Sequence, residues 1–333
     1  MNKNQIMNNM HNVLLLCICL ITTTHLFAQK TTKYFTEKEL SQSKNEGTIY
    51  GTLTTPLKAK KPPLVLMYTG TMGTDRDGNM VHNPQKNNWA SYLADSLAAN
   101  GIASFRYDKI GTGKSVLSNS SLTMYNIDYN NHIAHALSWM MFFSKKKEEY
   151  SKIIVLGHQE SVIFGLLASN VVSPNGFIAI NAPGTTVDTI IEKLYYPSIP
   201  DKLKDIGNTI LRELRQGRVY EDVPTPLIPL FGKDIQKILI SSMRFNPAEK
   251  IKNLQCPVLV IYGEYDMDTP ESEALKLAAA AKNAKVHKIP LMNTIMKEAK
   301  GKNLKNRETY SIPVLPIIDG VTKIIVDFIR ATP

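Results

Sequence analysis

The 333-residue chain carries 39 Lys plus Arg against 29 Asp plus Glu, a formal charge of +10, with 43% hydrophobic and 20% charged residues. These proportions belong to a folded globular chain long enough to bury a large core, and they exclude a disordered or collagen-like protein. Two of the three cysteines, Cys17 and Cys19, lie in an amino-terminal segment that reads as removable, so Cys256 stands alone and no disulfide framework is available. The lysines are scattered in short clusters (Lys58, Lys60, Lys61; Lys145, Lys146, Lys147; 297–305) with no Arg-rich or aromatic-interleaved stripe. The basic balance therefore reads as a solvated surface and not as a nucleic-acid footprint.

In chain order, Lys3 precedes an apolar run at 13–21, followed by small and polar residues up to Ala28. Nine apolar residues are too few to span a bilayer and suit the core of a signal peptide, which predicts export to the periplasm or the exterior with residues 1–28 removed. Leu16 before Cys17 is not the small residue that lipid attachment at that cysteine needs, which argues against a lipoprotein. No later segment is long and apolar enough to span a membrane, and none is repetitive. Short β-branched or Leu-rich runs then predict strands at 47–54, 64–68, 103–107, 153–156, 177–181, 258–262 and 285–289. Helical patterns fall between and after them at 89–100, 129–143, 162–170, 270–282 and 320–330. This alternation predicts an α/β fold with a mostly parallel sheet covered on both faces. From about 185 to 247 the strand rhythm stops and helical segments with prolines take over, which reads as a helical cap inserted in one domain spanning 29–333. Tyr195, Tyr196 and Tyr220 of that cap are expected to form a pocket lid.

The run Ile153-Ile154-Val155-Leu156-Gly157-His158-Gln159-Glu160-Ser161-Val162 is a buried strand entering a tight turn and then a helix. That is the setting of a nucleophile elbow, G-x-S-x-G, where a strained turn presents its middle side chain above the sheet. Four further stretches accompany it: Gly51-Thr52-Leu53 with Pro56; Thr69-Gly70-Thr71-Met72-Gly73-Thr74-Asp75-Arg76-Asp77-Gly78-Asn79; Arg106-Tyr107-Asp108-Lys109-Ile110-Gly111-Thr112-Gly113-Lys114-Ser115; and Tyr262-Gly263-Glu264-Tyr265-Asp266. With Met292-Asn293-Thr294 late in the chain, the set resembles the α/β-hydrolase superfamily, in its serine-aminopeptidase and acyl-ester-hydrolase-like branch, over most of the chain after residue 29. The resemblance implies an α/β-hydrolase fold, a triad acid at Asp266, and oxyanion donors from the backbone N–H of Glu160 and of Thr71 or Met72. It also implies that Asp75, Arg76, Asp77, Asp108 and Lys109 brace the oxyanion loop by charge-assisted hydrogen bonds.

The departures from the family pattern fall on the chemistry. Gln159 stands at the nucleophile position, and a carboxamide is a negligible nucleophile near neutral pH. Thr294 stands at the base position, and its hydroxyl cannot take a proton at that pH. Rescue would need Ser161 as a displaced nucleophile, His287 as a displaced base, or a water activated by Asp266 or Glu160. Ser161 reads better as a small residue packing the helix start, His287 as a strand residue, and His158 as turned away from the pocket. His82, His132 and His135 show no metal-ligand spacing, so no metal or other cofactor is expected. Gly111-Thr112-Gly113-Lys114-Ser115 imitates a phosphate loop, yet the first glycine of G-x-x-x-x-G-K-[ST] falls on Asp108. The reading is thus an exported hydrolase-like protein without Ser–His catalysis, whose pocket receives a small ester-, acyl- or peptide-like ligand or a protein partner of unknown identity. The alternative is an active ester or peptide hydrolase with a rearranged site.

Overall fold

The computed structural model describes residues 34–81, 86–125 and 127–333. Residues 1–28, with Cys17 and Cys19, and His82 lie outside the described residues. Phe35–Pro333 forms one compact unit.

The buried runs become strands because each alternates between two apolar faces. Leu64, Leu66 and Tyr68 of β3 (Leu64–Tyr68) point into one core, while Val65 and Met67 point into the other. β4 (Ala103–Tyr107), β6 (Ile153–His158), β7 (Gly176–Ile180) and β8 (Val258–Gly263) are likewise buried on both sides. A strand that is apolar on both faces can be accommodated only between two layers of helices. On the first face, Trp139, Met140 and Phe143 of α2 (Tyr129–Ser144) and Phe164 and Leu166 of α3 (Val162–Val171) complete the core. On the second face the partners are Trp89, Leu93 and Leu97 of α1 (Trp89–Ala99) and Val321, Ile325 and Ile329 of the last helix, α9 (Val321–Ala331).

The nine-stranded sheet has the order β1-β2-β4-β3-β6-β7-β8-β9, with the short β5 (Val116–Leu117) beside β2. β1 (Phe35–Lys44) and β2 (Gly47–Pro56) form an antiparallel hairpin, β2 meets β4 antiparallel, and every pairing from β4 through β3 to β9 (Ala284–Ile289) is parallel. The sheet is therefore mixed but mostly parallel. The predicted strands and helices of the sandwich match these elements to within one or two residues. β1 was not anticipated, because as an outer strand it is largely exposed and carries no apolar run.

Between β7 and β8 the chain is helical: α4 (Val187–Ile190), α5 (Asp201–Arg215), α6 (Ile228–Phe231), α7 (Lys233–Ser242) and α8 (Pro247–Ile251). Ile191, Ile199, Ile210, Leu211, Leu214, Leu227 and Phe231 pack into a hydrophobic cluster of their own. Tyr196 and Tyr220 pack against that cluster. Among the described residues, no helix is long and apolar enough to cross a membrane.

Buried charges hold the loop between β3 and α1. The Arg76 guanidinium donates from Nε (2.9 Å) and Nη2 (2.6 Å) to Asp108 Oδ2, and the Arg76 backbone N–H donates to Asp108 Oδ1 at 2.7 Å. Asp77 accepts from Arg106 Nε at 2.8 Å, and Asp75 Oδ1 accepts the N–H groups of Asp77 and Asn79 at 2.9 Å each. Lys109, buried, donates to the carbonyl of Thr69 and, at 3.3 Å, to that of Thr74; burial lowers its pKa to about 8. The Gly-rich turn after β4 closes on the same carboxylate: Lys114 N–H donates to Asp108 Oδ2 at 2.8 Å, and a Cβ at Gly113 (φ 51°) would lie 2.4 Å from it. The turn wraps a carboxylate of its own chain where a phosphate loop would wrap a nucleotide. Removing the guanidinium leaves that carboxylate buried and uncompensated. Arg76→Ala is therefore expected to lower unfolding stability in urea by about 3–5 kcal/mol, and a loss below 1 kcal/mol would show that the loop does not depend on this pair.

Candidate functional site

β6 ends in the turn that the sequence motif predicts. Gln159 sits at φ 51° in the left-handed region, followed by a single turn of 3-10 helix, Gln159–Ser161, that leads into α3. The turn is tight because Gly157 lies against α3: a Cβ there would be 2.5 Å from Val162 Cα. Ser161 N–H donates to Gly70 O at 3.1 Å and Ser161 Oγ to Thr69 O at 3.0 Å, tying the turn to the loop after β3. Those bonds and complete burial use up the Ser161 hydroxyl. His287 is exposed on β9, the last strand of the sheet. The displaced nucleophile and displaced base of the alternative reading are thus not brought together.

Thr294 and Asp266 do meet. Thr294 Oγ1 donates to Asp266 Oδ1 at 2.6 Å, and the same oxygen accepts the N–H groups of Asp268 (2.9 Å) and Thr269 (3.1 Å). Asp266 Oδ2, where a triad histidine would donate, is buried without a hydrogen-bond partner. Burial pushes the Asp266 carboxyl up to about 6, against the opposing pull of the Thr294 hydroxyl and the two N–H groups. Thr294 is clamped from the other side as well. Its carbonyl accepts from His158 Nε2 at 2.7 Å and from Asn181 Nδ2 at 2.8 Å. His158 packs against Trp89 with ring centroids 4.4 Å apart and the planes tilted by 49°, and burial lowers its pKa to about 4, so it is the neutral ring that donates from Nε2. Asn181 also accepts Gly263 N–H at 2.9 Å and so ties β7, β8 and the late loop together. This residue escaped the sequence reading. Its signal is an asparagine directly after a buried strand, suited to the left-handed backbone (φ 48°) found there.

A cleft of about 200 Å³ opens over the elbow. Gln159, Glu160 and Thr71 line its floor, Ile163 and Phe245 its walls, and Val187, Ile190, Ile191 and Tyr195 of the helical segment its roof. Of the three lid tyrosines expected from the sequence, Tyr195 lines the cleft, whereas Tyr196 and Tyr220 belong to the helical segment's own core. A neighbouring cavity of about 500 Å³ shares Thr71, Gln159, Tyr195 and Asp268. Asp266 and Thr294 lie buried behind these surfaces and line neither cavity. Of the two expected oxyanion donors from the loop after β3, Thr71 lines the cleft, while Met72 is buried and its N–H faces the Glu160 carboxylate. Burial raises the Glu160 pKa, opposed by Lys109, by the Tyr129 hydroxyl at 3.3 Å and by that N–H. His132 and His135 are buried on α2 away from the cleft, with His135 Nε2 3.3 Å from Glu46.

No protein-family model and no curated protein matches the sequence. Solved structures do. The ferulic acid complex of Est1E from Butyrivibrio proteoclasticus is 14% identical, with 87% of this chain and 96% of that one covered at a TM-score of 0.54. The peroxisomal alpha-beta-hydrolase Lpx1 of Saccharomyces cerevisiae is 13% identical over 91% and 92% at 0.55. The proline iminopeptidase of Mycobacterium smegmatis is 15% identical over 88% and 98% at 0.53. With the sheet order and the elbow turn, these likenesses show that the chain has the α/β-hydrolase fold.

The unpartnered carboxylate oxygen has a consequence for pH dependence. An Asp whose folded pKa is raised from 3.8 to about 6 contributes stability that is complete below about pH 4 and is lost as pH rises through 6. The loss corresponds to about 3 kcal/mol at full ionisation. Asp266→Asn has no such ionisation. Its stability relative to wild type should therefore improve by up to that amount between pH 4 and pH 7 in denaturant titrations; a difference independent of pH would contradict the buried carboxylate.

Proposed function

We propose that this protein is a pseudohydrolase, a hydrolase scaffold that binds a small ester-, acyl- or peptide-like ligand without forming an acyl-enzyme. The observation that carries the reading is Gln159 at the strained elbow, φ 51°, with Thr294 bonded to Asp266 at 2.6 Å in the base position. A carboxamide cannot attack a carbonyl usefully, and a threonine hydroxyl cannot accept the proton such an attack would release. The cleft over the elbow and the helical segment that roofs it support a binding role. Its roughly 200 Å³ is below the usual span of drug-sized pockets, which favours a small occupant. The burial of Ser161 and the exposure of His287 weigh against a rearranged catalytic site.

The test is turnover of short acyl esters by wild type beside Gln159→Ser/Thr294→His. Wild type should match the buffer rate, and the double variant should hydrolyse at least one ester above it, because Asp266 lies within hydrogen-bond distance of residue 294. Wild-type turnover above the buffer rate would overturn the reading. The apolar run at 13–21 supports export with cleavage after Ala28. The intact mass of the protein recovered from its native host should begin at Gln29; an unprocessed chain retained in the cytoplasm would contradict export.

A further inference from the structure

Apart from the Gln159 carboxamide, which can donate as well as accept, the hydroxyls around the cleft are turned to accept hydrogen bonds. Thr185 Oγ1 donates its hydrogen to Glu273 at 2.7 Å, Ser242 Oγ to Leu239 O at 2.9 Å, Thr269 Oγ1 to Asn181 O at 3.0 Å, and Tyr129 Oη to Glu160 at 3.3 Å. These hydroxyls have lone pairs left to offer and no hydrogen. Two carboxylates, Glu160 and Asp268, also line the cleft, and among the described residues lining it there is no Lys, Arg or His. The nearby cations stand behind these carboxylates and not in the cleft, Lys109 attracting Glu160 and Arg307 pairing with Asp268. Lys109 lies buried beneath the floor on the carbonyls of Thr69 and Thr74, and Arg307 is bound to Asp268 at 2.8 Å.

Such a lining discriminates strongly. A ligand carboxylate would meet acceptors and two carboxylates already matched by Arg307 and Lys109, with no cation in the lining left to offset its desolvation. A neutral ester would leave most of the acceptors unanswered. A primary ammonium supplies three donors and a charge opposite to that of Glu160. The overall charge of +10 opposes a cation only at long range, where salt screens it beyond about 8 Å. The carboxylates act at contact. The rest of the cleft is apolar (Ile163, Val187, Ile190, Ile191, Phe245), which asks for a short hydrocarbon body.

We infer that the cleft binds a primary amine on a short apolar body, with the ammonium on the Glu160 carboxylate beside Gln159. This rests on the reading of the cleft as a ligand pocket and narrows its ligand class. The experiment is calorimetric titration of the full chain at pH 7 and 0.15 M salt with hexylamine, hexanamide and hexanoate. Hexylamine should bind most tightly, with hexanoate at least tenfold weaker. Glu160→Gln should weaken hexylamine at least tenfold and leave hexanamide within about threefold. Hexanoate binding as tightly as hexylamine would overturn the ligand class and leave the pocket standing, whereas no binding by any of the three would overturn both. Because Glu160 also faces the Met72 N–H, its variant risks misfolding. Ile190→Trp, which fills the cleft from the roof, provides the independent check: it should abolish hexylamine binding, and retained binding would place the amine elsewhere.

Discussion

The turn from β6 into α3 holds residue 159 in a left-handed conformation, and the site is arranged around that constraint. For a residue with a side chain this backbone costs about 1–2 kcal/mol, and it persists only where the surroundings over-determine it. Here they do. Gly157 has no room for a Cβ against Val162, and Ser161 is bonded through N–H and hydroxyl to the loop after β3. The geometry that elsewhere lifts a nucleophile above the sheet is kept at full cost for a glutamine. The strain belongs to the fold, and the side chain placed on it decides the chemistry.

Around the turn, the residues that the proposed reading assigns to a lost catalytic site are closely bonded to one another. Asp266 collects the N–H groups of Asp268 and Thr269 and the Thr294 hydroxyl on one oxygen, while the other is buried without a partner. The base position is clamped through its carbonyl by His158 and Asn181. Glu160 faces inward, braced by Tyr129 and within reach of Lys109 and of the Met72 N–H. On the proposed reading, a site so ordered serves recognition and not turnover.

Much of this was legible in the sequence because it is local. Strands buried on both faces announce themselves as continuous apolar runs, and the elbow and the Arg76–Asp108 loops lie in short contiguous motifs. The hidden parts depend on contacts between distant segments. Asn181 acquires its role only when the ends of β7 and β8 meet the loop at 293–294. The meeting of the Met72 N–H with Glu160, and the place of Thr71 in the cleft lining, depend on how the loop after β3 packs on the elbow. The separation of Tyr195 from Tyr196 and Tyr220 is fixed by helix packing within the segment over the cleft. β1 escaped because an outer strand can be stable while polar on most of its surface.

The most direct test of the account is the intact mass of the wild-type protein after prolonged exposure to a fluorophosphonate, which phosphonylates an activated serine. With Gln159 at the elbow and Ser161 buried under the loop after β3, the mass should remain unchanged. A stoichiometric adduct on any serine lining the cleft would contradict it and place an active nucleophile where none is assigned.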